Sequence, residues 1–236
     1  MVIYNAGESI VPILDITTTE DRKQVTDIRY LGTGCFITKQ WLITCRHVLQ
    51  DAKQIPCTTY RPLDSSKRVY DGLKNIKYHP DADIALAEVG KVASESYKPL
   101  KVGASSEIIL GQDIISYSYI VTPEEKYKVA LTPRLFKGYI MRTSCERQNP
   151  NRAYLEVSFP VLKGMSGSPL INDSVELIGV IYQNFRSQVL EDYIEEEYLL
   201  RNQQETKRVN KAYKIVEYGI AVDLTKYWDF ISSVIA

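Results

Sequence analysis

Short apolar runs of strand length, divided by turn residues, constrain this chain more than any other feature. Ile10–Leu14, Cys35–Ile37, Trp41–Thr44, Ile84–Val89, Ile114–Ile120, Tyr154–Val157, Leu177–Tyr182 and Tyr218–Val222 are each about one β-strand long. Gly103, Asn151 and the Asn172-Asp173 pair lie between them. Runs this short bury an apolar face only by pairing with one another, so the pattern predicts a sandwich or barrel. They do not alternate with long helical patterns, which argues against a parallel α/β fold, and no repeat of solenoid period is visible. Two stretches break the β rhythm. Residues 186–214 are highly charged and carry Leu190, Tyr193, Ile194 and Tyr198 at helical spacing, which predicts a short docked helix within a charged insertion. Residues 224–236 predict a terminal helix with Tyr227, Phe230, Ile231 and Val234 on one face.

The hydrophobic share of 44% is enough for a core, and 17 Tyr are not the composition of a disordered chain. Lys plus Arg and Asp plus Glu balance at 29 each, so no net charge draws the chain to nucleic acid or an anionic membrane. The first residues lack the basic start and apolar run of a secretory signal. No stretch approaches the roughly 18 uninterrupted apolar residues of a spanning helix. Four cysteines, Cys35, Cys45, Cys57 and Cys145, are too few for a disulfide scaffold and form no CxxC pair. With a turn at Thr38–Trp41, Cys35 faces Thr44 across a hairpin and Cys45 points to the other side of the sheet. Free thiols in a reducing cytoplasm are therefore expected. Two histidines far apart make no metal constellation, and there is neither a phosphate-cradling loop nor a basic face. We expect no metal, cofactor, nucleic acid or membrane partner.

The candidate chemistry rests on three segments. His47 closes the run Trp41-Leu-Ile-Thr-Cys-Arg-His47, a strand end that can hold an imidazole rigidly. Histidine is the side chain best suited to proton transfer near neutral pH. His79, in Tyr78-His-Pro-Asp81, reads as a solvated turn residue. In Gly164-Met-Ser166-Gly-Ser-Pro169, a serine between glycines can expose its hydroxyl on a sharp turn. Gly164 there lets backbone N–H groups converge where an oxyanion would form. An α/β-hydrolase elbow is excluded, because position 168 is Ser and both histidines precede Ser166. Asp83, entering the apolar strand Ile84-Ala-Leu86, is costly to bury unless paired, and a histidine ring N–H would satisfy it. Asp81, in the turn, is the weaker candidate for that role.

Together these segments resemble the trypsin-like serine peptidases. Gly32-Thr-Gly-Cys-Phe-Ile37 with Leu42-Ile-Thr-Cys-Arg-His47-Val is similar to their histidine motif. Tyr78-His-Pro-Asp-Ala-Asp83-Ile-Ala-Leu86 is similar to their aspartate motif, and Gly164-Met-Ser166-Gly-Ser-Pro169 to their nucleophile motif. The order His, Asp, Ser is that of the chymotrypsin clan. The intracellular bacterial branch, including the high-temperature-requirement proteases, is more similar than the digestive enzymes. The resemblance implies an all-β protein of two six-stranded antiparallel barrels with a short C-terminal helix. The first barrel would span residues 1–95 and carry His47 and Asp83; a linker would follow over 96–108. The second barrel, 109–223, would carry Ser166 and the insertion 186–214, and the helix would fill 224–236.

The resemblance further implies a serine endopeptidase with His47, Asp83 and Ser166 as catalytic triad and the N–H groups of Gly164 and Ser166 as oxyanion hole. It implies a primary pocket walled by Pro160, Val161, Leu162, Lys163, Ile181, Tyr182, Gln183 and Asn184, with Gly219 leaving its far side open. The expected pocket base has no acid, so uncharged, small to medium apolar residues should precede the cut. Met165 stands where zymogens of this family carry an aspartate that pairs with a freed amino terminus, and activation by N-terminal cleavage is not expected. The partners are then a protein or peptide substrate and a protein regulator docking on 186–214. A catalytically silent peptide-binding or regulatory module is the alternative.

Overall fold

The structure, a computed structural model, describes residues 8–21, 24–60, 69–90, 97–120, 133–146, 149–199 and 205–236, with only the backbone described for 60, 144–146, 149–152, 187–199 and 205–214. The apolar runs become strands of two sheets. The first contains β1 (Ile10–Thr18), β2 (Val25–Phe36), β3 (Trp41–Thr44), β4 (Ile55–Tyr60), β5 (Val69–Gly72), β6 (Lys74–Tyr78) and β7 (Ala85–Glu88). Their order across the sheet is β5-β4-β1-β2-β3-β7-β6. The second contains β8 (Lys101–Val102), β9 (Asp113–Tyr119), β10 (Pro133–Glu146), β11 (Asn149–Val157), β12 (Pro169–Ile171), β13 (Glu176–Leu199) and β14 (Glu205–Asp223). Here the order is β12-β9-β10-β11-β14-β13-β8, and an additional β12–β13 pairing closes six of the strands into a barrel. This is the chymotrypsin-like fold. Its second barrel is closed, while the first sheet is a half-barrel whose outer strands β5 and β6 share no pairing among the described residues.

Burial follows the strand period. In β9 the sequence Asp-Ile-Ile-Ser-Tyr-Ser-Tyr alternates, with Ile114, Ser116 and Ser118 inside; two serines in a barrel interior leave room for larger neighbours. Central β1 is buried on both faces. Val11 and Ile13 belong to the main core, and Leu14 and Ile16 pack with Cys57 on the other side. Each such side chain contributes about 1.5–3 kcal/mol by leaving water. The main core also takes in Leu177, Val180 and Val222 of the second sheet, so the two halves share apolar contacts. The C-terminal expectation holds. A 3-10 turn (Leu224–Lys226) leads into an α-helix, Trp228–Ile235, that buries Ile231 and lays Phe230 and Val234 against the main core beside buried Tyr227.

Two expectations are corrected. The segment 186–214 is not a helix: β13 and β14 run on as one antiparallel ribbon, from Arg186↔Glu217 to Leu199↔Glu205. The segregated charges explain this. The register sets Glu196 opposite Arg208 and Glu197 opposite Lys207, an arrangement that favours strand pairing. Leu200 and Arg201 lie outside the described residues. In the β2–β3 hairpin Cys35 faces Ile43, not Thr44. The Trp41 carbonyl accepts from both Ile37 N–H (3.0 Å) and Thr38 N–H (3.2 Å), which tightens the turn and shifts the register by one. Cys35, Cys45 and Cys57 are free and buried. No helix among the described residues is long and apolar enough to cross a membrane.

Candidate active site

β3 and β7 are neighbours, with Thr44 opposite Ala85, so the residues that follow β3 and precede β7 emerge at the same end of the sheet. After β3 the chain enters a short helix, α1 (Arg46–Gln50), with His47 in its first turn. Helix starts leave backbone N–H groups unpaired, and Asp83 supplies their acceptor. Its Oδ1 accepts from the His47 N–H at 2.9 Å, and the Arg46 N–H also donates to this carboxylate. Its Oδ2 lies 2.6 Å from His47 Nδ1. One carboxylate thus caps the helix and fixes the imidazole. Burial pushes Asp83 up, but the His47 ring, its charge and the two backbone donors outweigh this and hold it below the ordinary carboxylate value. The hydrogen bond to Asp83 raises His47 above its ordinary 6.5, against the opposing effect of burial. With side chains 42% and 25% exposed, the pair is open to a reactant.

The turn that presents Asp83 is built around the other histidine. His79 Nδ1 accepts from the Asp81 N–H (3.1 Å) and the Ala82 N–H (2.9 Å), and its ring stands edge-on to Tyr227 and Phe230 at 4.9 Å. His79 is therefore half-buried and structural, not a solvated surface residue. Two acceptor bonds at one ring nitrogen require the neutral form, and burial lowers its pKa against the pull of Asp81. Arg46 Nη1 ties α1 to the same turn through the carbonyls of His79 (3.2 Å) and Pro80 (3.1 Å). Behind the pair lies a cavity of 350 Å³ whose walls include Asp83, Tyr154 and Tyr182.

Ser166 arrives from the second barrel, on the loop before β12. Its carbonyl accepts from the Thr33 N–H at 2.8 Å, which seats the loop on β2 of the first sheet. Gly167 lies so near that a Cβ there would come within 1.8 Å of the Thr33 carbonyl oxygen. Gly164 has φ +100°, a conformation that glycine adopts freely. Among the described residues the Gly164 and Ser166 N–H groups donate to no protein acceptor, so both are available to an oxyanion. Ser166 Oγ donates to the Tyr182 carbonyl at 3.5 Å, and no hydrogen bond joins it to His47. Bonds of this kind often tighten only when a reactant is bound.

Around the expected pocket, Val161 N–H donates to Asn184 Oδ1 (3.2 Å), and Asn184 faces Gly219 in the β13–β14 register. These segments do come together. Pro160, Leu162 and Lys163 are exposed, and Ile181 is fully buried. Gly219 does not leave the wall open, however. A Cβ there would meet Val161 Cγ2 at 2.6 Å and Val157 Cγ2 at 2.8 Å, so valines take the space.

Cys45 was not singled out from the sequence. Its Sγ, a His47 nitrogen and an Asp83 oxygen lie within 4.8 Å of one another, close enough for metal ligands. Burial holds this thiol protonated, well above its ordinary range, and it donates to the Ile181 carbonyl at 3.1 Å. Since His47 and Asp83 are bonded to each other, the set does not fit a metal ion.

The sequence matches the family model of the trypsin-like peptidase domain over residues 32–180. No curated protein sequence matches the chain. Among solved structures it is similar to the HtrA-type protease AlgW with a decapeptide, at 14% identity and a TM-score of 0.62, covering 98% of this chain and 65% of that one. It is also similar to the apo MamO protease domain from Magnetospirillum magneticum, at 11% identity and a TM-score of 0.59, covering 97% and 98%. The chain thus spans about two thirds of AlgW, and at these identities the likeness is one of fold.

Proposed function

The chain belongs to the trypsin-like peptidase family, and from that premise we propose that it is a serine endopeptidase acting through His47, Asp83 and Ser166. The observation that carries the reading is the 2.6 Å His47–Asp83 contact, made at the end of the sheet on which the Ser166 loop is seated. Ser166 Oγ attacks the scissile carbonyl carbon while His47 Nε2 takes its proton. Asp83 keeps the remaining proton on Nδ1 and stabilises the imidazolium. The carbonyl oxygen becomes an oxyanion held by the N–H groups of Gly164 and Ser166. Collapse breaks the C–N bond, and the leaving amine takes the proton from His47. Water then attacks the acyl ester on Ser166 by the same route in reverse.

Labelling with a fluorophosphonate tests this. Wild type should be labelled, and Ser166→Ala and His47→Ala should not. Labelling that persists in Ser166→Ala would sink the assignment. A folded wild type that stays unlabelled would support a silent peptide-binding module, the reading favoured by the Ser166 bond to Tyr182.

For specificity we propose uncharged, small to medium apolar residues before the cut. Val161 and Val157 narrow the pocket beside Gly219, and its neighbouring residues 160–163 and 181–184 include no acid to receive a basic side chain. A peptide-library profile dominated by Arg or Lys would contradict this. The β13–β14 ribbon is the proposed docking element for a protein regulator or substrate. Three buried free thiols support a reducing compartment, the cytoplasm, as the site of action.

A further inference from the structure

The loop that carries Ser166 belongs to the second barrel, yet side chains and backbone of β2 hold it. Tyr30 Oη donates to the Gly164 carbonyl at 2.8 Å and lies 3.0 Å from the Tyr119 carbonyl and 3.1 Å from Thr33 Oγ1. Thr33 Oγ1 in turn lies 3.2 Å from the Gly164 carbonyl and accepts from the Tyr119 N–H at 3.2 Å. Three segments, β2, the end of β9 and the nucleophile loop, therefore meet at two hydroxyls. The Tyr30 ring also lies against Gly164, since a Cβ at that position would come within 2.7 Å of Tyr30 Cε1. Two residues on, the Ser166 carbonyl is held by the Thr33 N–H. Between them Met165 is fully buried, its N–H bonded to the Leu162 carbonyl at 3.0 Å.

The geometry points to Tyr30 as the positioning residue of the oxyanion hole: by gripping the Gly164 carbonyl it fixes the Gly164–Met165 peptide plane, which lies between the two peptide planes that carry the Gly164 and Ser166 N–H groups. The inference rests on the serine-peptidase reading above. The Gly164–Met165 plane is held at both ends, by Tyr30 at the Gly164 carbonyl and by the Leu162 carbonyl at the Met165 N–H, and Gly164 at φ +100° turns the chain into it. Met165 offers no charge by which an ion pair might order this loop; its order comes from backbone hydrogen bonds and, at the Gly164 carbonyl, from neutral hydroxyls of the other half. The Tyr30 proton serves one acceptor fully, and Gly164 is the nearest of the three.

Tyr30→Phe keeps the ring against Gly164 and removes the hydroxyl. On a small peptide ester kcat should fall about 10- to 100-fold, less than the 10²–10³-fold loss of a whole oxyanion donor. KM should stay within about two-fold, because a misaligned hole weakens the transition state and not ground-state binding. Affinity for a peptide boronate, which forms a tetrahedral adduct, should fall with kcat. A kcat within two-fold of wild type, or a loss that appears in KM alone, would overturn the inference. Hydrogen–deuterium exchange of residues 162–168, read in both proteins whether or not either is active, should be faster in the variant; unchanged exchange overturns it independently of catalysis. An unlabelled wild type with faster exchange in the variant would instead sink the parent reading and keep the tether. If Tyr30→Phe does not fold, Thr33→Val, which removes the second hydroxyl at the Gly164 carbonyl, is read in the same way.

Discussion

His47 and Asp83 stand just past and just before two neighbouring strands of one sheet, whereas Ser166 stands on a loop of the other. The first pairing is set by register. Once Thr44 faces Ala85, the residues just past β3 and just before β7 have little choice but to meet, and the unpaired N–H groups of α1 draw the carboxylate in. No strand register fixes the second. The Ser166 loop is held to its own barrel by the Gly167 N–H on the Ile181 carbonyl, and to the first sheet by the Thr33 N–H, two hydroxyls and the close approach of Gly167. The acid–base pair should therefore tolerate disturbance between the halves better than the nucleophile loop does. Changes inside the pair should cut rate and pH dependence together; changes at the boundary should cut rate alone.

The largest expected effect that tests this comparison is in Asp83→Asn. In a digestive enzyme of this type the corresponding change lowers kcat about 10⁴-fold by turning the histidine to the wrong tautomer. Here the carboxylate also raises His47 above 6.5, and the base must be neutral to act. Wild-type kcat/KM should then rise with pH through an inflection above 6.5. In Asp83→Asn the raising influence is gone while burial still lowers the pKa, so the inflection should move to lower pH. A loss of similar size with an unmoved acid limb would mean that His47 is not the titrating base. Tyr30→Phe, by contrast, should leave that limb in place.

The same comparison explains what the sequence disclosed. His47, Asp83 and Ser166 stand out because their chemistry demands particular residue types, and the strands stand out because short apolar runs have one way to be buried. Tyr30 does not, because its partner Gly164 lies 134 residues away and a lone tyrosine carries no local signal. His79 looks like a solvated turn residue until the turn closes on its Nδ1. In 186–214 the apolar residues fall three and four apart by accident of composition. The informative pattern was the opposite charge of the two arms, and that becomes a strand signal only with the pairing partner in view. Gly219 misled for a related reason: a missing side chain means open space only if no neighbour fills it.

The smallest effect on the chemical step is expected from that ribbon. From Arg186↔Glu217 outward, β13 and β14 pair only with each other among the described residues, over about 40 Å at the usual rise per residue. At its base Phe185 stacks on Tyr218 at 4.7 Å, and Arg186 Nε bonds Glu217 Oε1 at 2.8 Å, so the ribbon leaves the barrel with a defined root. Beyond it no third strand lies beside the two among the described residues; a ribbon of two strands is marginal in water, and its edges can pair with another chain. Phe185, Ile215 and Val216 are exposed near the root, which adds an apolar foothold. None of these root contacts involves His47, Asp83 or the Gly164 loop. Replacing residues 188–212 with a short Gly-Ser linker should thus leave turnover of a small peptide ester within about two-fold of wild type. Cleavage of a folded protein substrate, or capture of a regulator, should change several-fold. If both stay unchanged, the ribbon is a passive extension. If ester turnover falls with them, the ribbon acts on the second barrel itself, and the boundary between the halves is not the only place from which the nucleophile loop can be disturbed.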